Sequence, residues 1–377
     1  MSKLQELIKK LCPDGVEFRK LGEVCEIFSG KNKQKKEQGK YPVYGSTGII
    51  AYCDNYQYDK EQLLIARVGA NAGFIHIANG KYDVSDNTLI VDVIGTCNSI
   101  YIYYVLVNSN INRYSKGGGQ PLVTASDIKK IEIPLPPLEV QNEIVHILDA
   151  FTAHTAELQA ELQTRKEQYE YYRNKLLTFD ENDERVKWMT LGDVCFYPRQ
   201  RIPVSLLHKN NYVGVDNLLP NKQGKKESNC VPSEGSCLSY TINDILIGNI
   251  RPYLKKIWIS NNNGGTNGDV LIYRIREEFL NCVMPKYLYY ILSSDDFFDF
   301  DNQYAKGAKM PRGDKNMNMK YSVPIPLFSE QQRIISILDK FESLVNDLSE
   351  GLPAEIAAVQ EQYEYYRNKL LTFKRKS

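Results

Sequence analysis

Apolar residues recur in steps of three and four along two stretches of this chain, and that spacing predicts two long helices. In the first, Ile144, Leu148, Phe151, Thr155, Leu158, Leu162, Arg165, Tyr169, Tyr172, Leu176 and Phe179 fall in one unbroken heptad register. In the second, Ile334, Leu338, Phe341, Val345, Leu348 and Leu352 hold the register, and Ile356, Val359, Tyr363, Tyr366, Leu370 and Phe373 resume it after a four-residue stutter. The stutter falls on the run SEGLP (349–353), where glycine and proline are expected to kink or interrupt the helix. Such seams pair most simply as an antiparallel coiled coil; the alternative is that each helix packs on its own neighbouring domain. Elsewhere the pattern changes to short β-type runs with turn punctuation, such as EQLLIARVGANAGFIHIANG and NDILIGNIRPYLKKIWIS, with few helical signals. Those regions predict mixed α/β domains built around a largely antiparallel sheet.

The pattern also repeats. EQYEYYRNKLLTF occurs identically at 167–179 and 361–373, and similarity continues upstream. IPLPPLEVQNEIVHILDAF (133–151) aligns with VPIPLFSEQQRIISILDKF (323–341), SIYIYYVL (99–106) with PKYLYYIL (285–292), and LGEVC (21–25) with LGDVC (191–195). The chain is therefore a tandem duplication of a variable domain followed by a helical segment. The expected fold is α+β: two mixed α/β domains separated and joined by two long antiparallel coiled-coil helices, with pseudo-twofold internal symmetry. Expected boundaries are 1–136 and 181–327 for the variable domains, and 137–180 and 328–377 for the helical regions. Beyond the seam, Tyr171, Arg173, Asn174 and Lys175 recur as Tyr365, Arg367, Asn368 and Lys369. Surface positions drift after duplication unless something holds them, so this outward face suggests two copies of one partner docking at equivalent places. Recent duplication or gene conversion is the alternative.

Charge sharpens the picture only locally. The totals, 47 basic against 46 acidic residues, argue against a protein that simply coats nucleic acid. Yet Ser29–Lys40 and Lys306–Lys320 are basic loops set in that neutral whole, suited to meeting phosphate at chosen places. Arginine and lysine recognise phosphate and guanine, asparagine and glutamine recognise adenine, and glycine permits close backbone approach. The candidate DNA contacts are therefore Lys31, Lys33, Lys35, Lys36, Arg67, Asn71, Lys116 and Gln120 in the first copy. In the second they are Arg199, Arg201, Asn249, Arg251, Lys255, Lys306, Lys309, Arg312 and Lys315.

Catalytic chemistry has no comparable signal. The four histidines and eight cysteines lack metal-ligand spacing, and no phosphate-binding loop, serine nucleophile elbow or amino-methyltransferase motif occurs. No apolar run reaches membrane-spanning length, and the N-terminus reads as a short amphipathic helix through Leu4, Leu7, Ile8 and Leu11. The expectation is a cytoplasmic, non-catalytic protein with reduced thiols and no metal.

The openings VEFRKLGEVC and VKWMTLGDVC, the closing IPLPPLEVQNEIVHILD and VPIPLFSEQQRIISILD, and the YxxYRxxLL helix ends together resemble the specificity subunits of type I restriction-modification systems along nearly the whole chain. One departure is Val140, where the second copy has Glu330 of the usual Glu-Gln pair. The resemblance implies two target recognition domains, each reading half of a bipartite DNA sequence, with the helices setting the spacer. It further implies two methyltransferase (modification) subunits docked on the helices, and restriction subunits besides. S-adenosylmethionine, ATP and Mg would be used by those partners, and no cofactor by this chain. A non-DNA coiled-coil scaffold with two ligand-binding modules is the competing class. Steeply salt-dependent binding to a split duplex separates the two.

Overall fold

The computed structural model describes residues 3–33, 36–116, 121–346 and 351–376. In the first copy, strands β1 (Cys25–Ser29), β2 (Gln62–Ala66), β3 (Ile75–Ala78) and β4 (Thr88–Val93) form an antiparallel sheet in the order β1-β4-β2-β3, followed by helix α1 (Ser99–Asn108). Helix α2 (Leu138–Leu177) then runs for 40 residues. The second copy repeats the sheet with β5 (Cys195–Phe196), β6 (Ile245–Gly248), β7 (Ile257–Ile259) and β8 (Val270–Ile275) in the order β5-β8-β6-β7. Helices α3 (Pro285–Leu292), α4 (Asp295–Gln303), α5 (Phe328–Asn346) and α6 (Leu352–Leu370) complete it. Even the register is shared: Leu63 faces Val91 as Ile245 faces Tyr273. Of the predicted interruption, Ser349 and Glu350 lie outside the described residues; α5 ends at Asn346 and α6 begins at Leu352.

Two compact units result, and the division runs through the long helix: residues 1–158 with 356–377, and residues 159–355. In the first unit, β2 alternates Leu63 and Ile65 into a core with Tyr101, Leu106, Ile144 and Leu148, while Leu64 packs on the opposite face with Tyr82, Val84 and Ile90. Leu371 is buried in that same core, with Tyr363, Leu370 and Phe373 against it. In the second unit, Ile245, Ile247, Tyr287, Leu288, Ile334 and Leu338 are joined by Leu177, with Tyr169, Leu176 and Phe179 against them. The repeated thirteen residues of each copy thus complete the core built on the other copy's sheet. Helix α2 meets the later helices in reverse order, Phe151 stacking on Tyr366 at 5.5 Å and Tyr172 on Phe341 at 5.6 Å. The heptad seam therefore serves both alternatives at once, helix pairing and packing onto a domain.

The closing motif has a physical explanation. Gln141 is buried; its Nε2 donates to the Pro136 carbonyl at 2.7 Å, and its Oε1 accepts from Asn98 N at 3.0 Å. Gln331 makes the equivalent bonds with Pro326 and Met284 N, both at 2.9 Å. Each glutamine ties the end of a strand and the start of a helix to one backbone point. Its neighbour varies because Val140 is fully buried, whereas Glu330 is half-buried and pairs with Arg333.

Candidate nucleic-acid interface

In each unit, a hairpin loop and a later loop opened by a lysine are pinned together by the same backbone bonds. The β2–β3 loop of the first unit receives a bond from Val123 N to Arg67 O (2.8 Å) and sends one from Gly69 N to Pro121 O (3.1 Å). In the second, Gly313 N reaches Asn249 O (3.1 Å) and Arg251 N reaches Pro311 O (2.7 Å). Lys116 and Leu122 close the first of these later loops with two 2.9 Å bonds, as Lys306 and Arg312 close the second. Because the main chain supplies these bonds, the frame persists while side chains differ.

This frame brings Arg67, Asn71 and Lys116 together in one unit, and Asn249, Arg251, Lys255, Lys306 and Arg312 in the other. Their exposure separates them. Asn71, Arg251, Lys309, Arg312 and Lys315 are open to solvent. Lys116 and Lys306 are exposed but bonded to Asp127 (2.8 Å) and Asp314 (2.7 Å), so their heads hold the loop shut. Lys255 bonds Asp295 at 2.6 Å, below the loop rather than on it. Asn249 is a correction: its side chain is 5 % exposed with a buried Oδ1 that finds no partner, so it supports the loop from beneath and cannot present its amide to a base. Arg67 is likewise half-buried, its Nε without a partner. Lys31, Lys33 and Lys36 lie on another exposed loop, Lys36 paired with Asp54; Arg199 and Arg201 are exposed, Arg201 bonded to Ser236. Lys35 and Gln120 lie outside the described residues.

On the helices, Tyr171, Tyr172, Tyr365 and Tyr366 are each at least 40 % exposed, as large rings seldom are. In both copies the two rings meet edge-on at 5.3 Å, with Lys175 over Tyr171 and Lys369 over Tyr365. Asn174 and Asn368 are exposed beside them. Arg173 departs from the expected outward face: it is 1 % exposed, bonded to Glu170, 3.6 Å from Asp295 and stacked over Tyr169. Asp295 also receives Lys222 at 2.9 Å and Lys255. Burial works to raise the Asp295 carboxyl, but the bonds from Lys222 and Lys255 outweigh it and hold it down at about 2. Arg367 is half-buried, stacks over Tyr363 and donates to Asn108 at 3.3 Å.

Sequence reasoning missed the group beneath the second loop. Asn318 Nδ2 donates to Asp301 Oδ1 at 3.0 Å and to Tyr273 OH at 3.2 Å, and Tyr197 OH donates to Tyr273 OH at 3.3 Å. The corresponding positions of the first copy are Ile27, Val91, Ile111 and Ile128, all buried. Gly313 makes room, since a Cβ there would lie 2.1 Å from Asp301 Oδ1. Burial pushes the Asp301 carboxyl up to about 6 against the opposing bond from Asn318. The folded chain then holds a proton that an unfolded aspartate releases near pH 4, so stability falls as pH rises from about 4 through 6, by about 3 kcal/mol in all. Asp301→Asn is expected to stabilise the second unit by about 2 kcal/mol at pH 7.5 and little at pH 4.5. Urea unfolding followed by the fluorescence of Trp188 and Trp258 reads it, and an equal effect at both pH values would refute it.

Among the described residues no three or more His, Cys, Asp or Glu group to hold a metal, all eight cysteines are free, and no helix is long and apolar enough to cross a membrane. The two units thus carry equivalent backbone-fixed loop frames, the second of them bearing the exposed cations Arg251 and Arg312. The family model for the type I restriction modification DNA specificity domain matches twice, at residues 13–167 and 184–358, one match per copy. A Haemophilus influenzae chain named as a type I restriction enzyme specificity subunit is 31 % identical, over 95 % of this chain and 96 % of that one. The specificity subunit of an Escherichia coli type I restriction enzyme is 30 % identical, over 99 % and 98 %. The crystal structure of the S subunit of a type I system from Mycoplasma genitalium shares the fold at a TM-score of 0.56 and 15 % identity, over 95 % of this chain and 96 % of that one. A chain from a study of type I complex assembly does so at 0.64 and 16 %, over 96 % and 98 %. This protein belongs to the type I restriction-modification DNA specificity family.

Proposed function

We propose that this chain is the DNA-reading subunit of a type I restriction-modification enzyme, each unit's loop frame reading one half of a bipartite duplex target. The observation that carries it is the pair of equivalent frames, which differ in side chains while sharing their backbone bonds. A shared frame with different side chains gives two heads that dock alike and read differently. The helices set the spacer between half-sites. The exposed Tyr171–Tyr172 and Tyr365–Tyr366 pairs, with Lys175 and Lys369, are the docking places of two modification subunits, and restriction subunits join that assembly. S-adenosylmethionine, ATP and Mg belong to those partners.

Selection of bound duplexes from a pool with a randomised core, using the full chain, tests the reading. The expected motif is two short specified clusters separated by a fixed unspecified gap, with affinity falling steeply as salt rises. A single contiguous motif, or no enrichment, would sink it.

A further inference from the structure

The two hairpin loops differ most where their backbones agree most. Gly69 and Gly73 in the first loop have φ of 81° and 91°; their counterparts Arg251 and Lys255 have φ of 53° and 49°. Within the loops, Ala72 N bonds Gly69 O at 3.0 Å and Leu254 N bonds Arg251 O at 2.9 Å. Ala66 N bonds Phe74 O at 2.8 Å, and Gly248 N bonds Lys256 O at 3.0 Å. Both are thus one turn with two left-handed residues. Glycine occupies such positions without strain, whereas a side-chain-bearing residue persists there only when its surroundings hold it.

For Lys255 the hold is visible: its Nζ bonds Asp295. Arg251 has no such reason. Its side chain is exposed and makes no hydrogen bond or ion pair among the described residues, and rigid Pro252 follows it. Lys256 beside it is lowered first by burial; Asp216 opposes that shift, while Lys226 and Arg251 add to it. In the first unit the same point is vacant, since a Cβ on Gly69 would meet nothing within 4 Å.

We infer that Arg251 is the base-reading residue of the second unit's loop, a guanidinium aimed at a guanine edge in the major groove, and that Gly69 is the empty equivalent in the first. This rests on the proposed reading of DNA by the two loop frames. A planar guanidinium pairs bidentately with guanine O6 and N7, and the left-handed residue followed by proline fixes the direction from which it arrives. Any flexible lysine could serve for a phosphate contact.

Duplex selection with the full-length Arg251→Gly chain tests this. Glycine suits the left-handed backbone, so the variant keeps its fold while losing the guanidinium. The expected result is that one G·C position in one half-site relaxes by about 5- to 150-fold while the other half-site is unchanged. Gly69→Arg is expected to add a G·C preference in the opposite half. Uniform weakening across all sequences with a shallower salt dependence would make Arg251 a phosphate contact and overturn the inference. An unchanged motif would overturn it too, while leaving the bipartite reading intact. Failure of the wild-type chain to select a split motif would instead remove the reading on which it rests.

Discussion

Replacing Arg173 with alanine is expected to destabilise the second unit by about 3 kcal/mol, whereas Arg367→Ala, at the same place in an identical thirteen-residue sequence, costs the first unit about 1 kcal/mol. Arg173 is the largest fully buried side chain among the described residues, and it lies among Glu170, Asp295 and Lys222. Its removal leaves a void and an unbalanced set of charges, the two circumstances that make single substitutions severe. Lys222, already lowered by burial and next by the charge of Arg173, gains some relief when that charge goes, which keeps the loss from being larger. Arg367 faces neutral Asn108 at the water's edge and stacks over Tyr363, so an ordinary hydrogen bond and a ring contact are what it loses. Both tryptophans, Trp188 and Trp258, belong to the second unit, so their fluorescence in urea should report a lower midpoint for Arg173→Ala and an unmoved one for Arg367→Ala. Equal shifts for the two variants would mean that the local helix sequence, not its surroundings, sets the cost.

That contrast marks where sequence stops informing. The helices and their seam were legible because side chains on one face repeat every three or four residues whatever they touch. The duplicated glutamine of the closing motif was legible too, since one bond pattern is built twice. Arg173 was not: its letters match those of Arg367, and only the surroundings differ, Glu170 and Asp295 pairing with one and Asn108 accepting from the other. Asn249 was misjudged because a loop position reads as exposed until the Lys306–Arg312 hairpin is seen to cover it. The quartet Tyr197, Tyr273, Asp301 and Asn318 could have been found. It stands against four isoleucines and valines in the other copy, and polar residues at core positions of a repeat are a signal of their own. Which exposed loop residues lie together was beyond reach, because the β2–β3 and β6–β7 loops meet their basic partners across more than 40 residues of chain.

The long helix makes the spacer itself a target for change. Residues 156–163 read AELQAELQ, a tandem of four residues within α2, and of these only Leu158 is buried and Leu162 half-buried. Inserting one further AELQ unit adds a single turn, about 6 Å of rise and about 40° beyond a full rotation. One base pair of B-form DNA rises about 3.4 Å and turns roughly 35°. Rise alone asks for nearly two added base pairs and rotation for nearly one, so the gap between half-sites is expected to lengthen by one or two. The half-sites themselves should stay as they are, because no residue of either loop frame moves relative to its own sheet. Methylation mapping in cells that carry the lengthened chain with the other subunits of its type I system reads both quantities at once. An unchanged gap would mean that this helix does not set the spacing, and altered half-sites would mean that the heads are not independent of the helix that carries them.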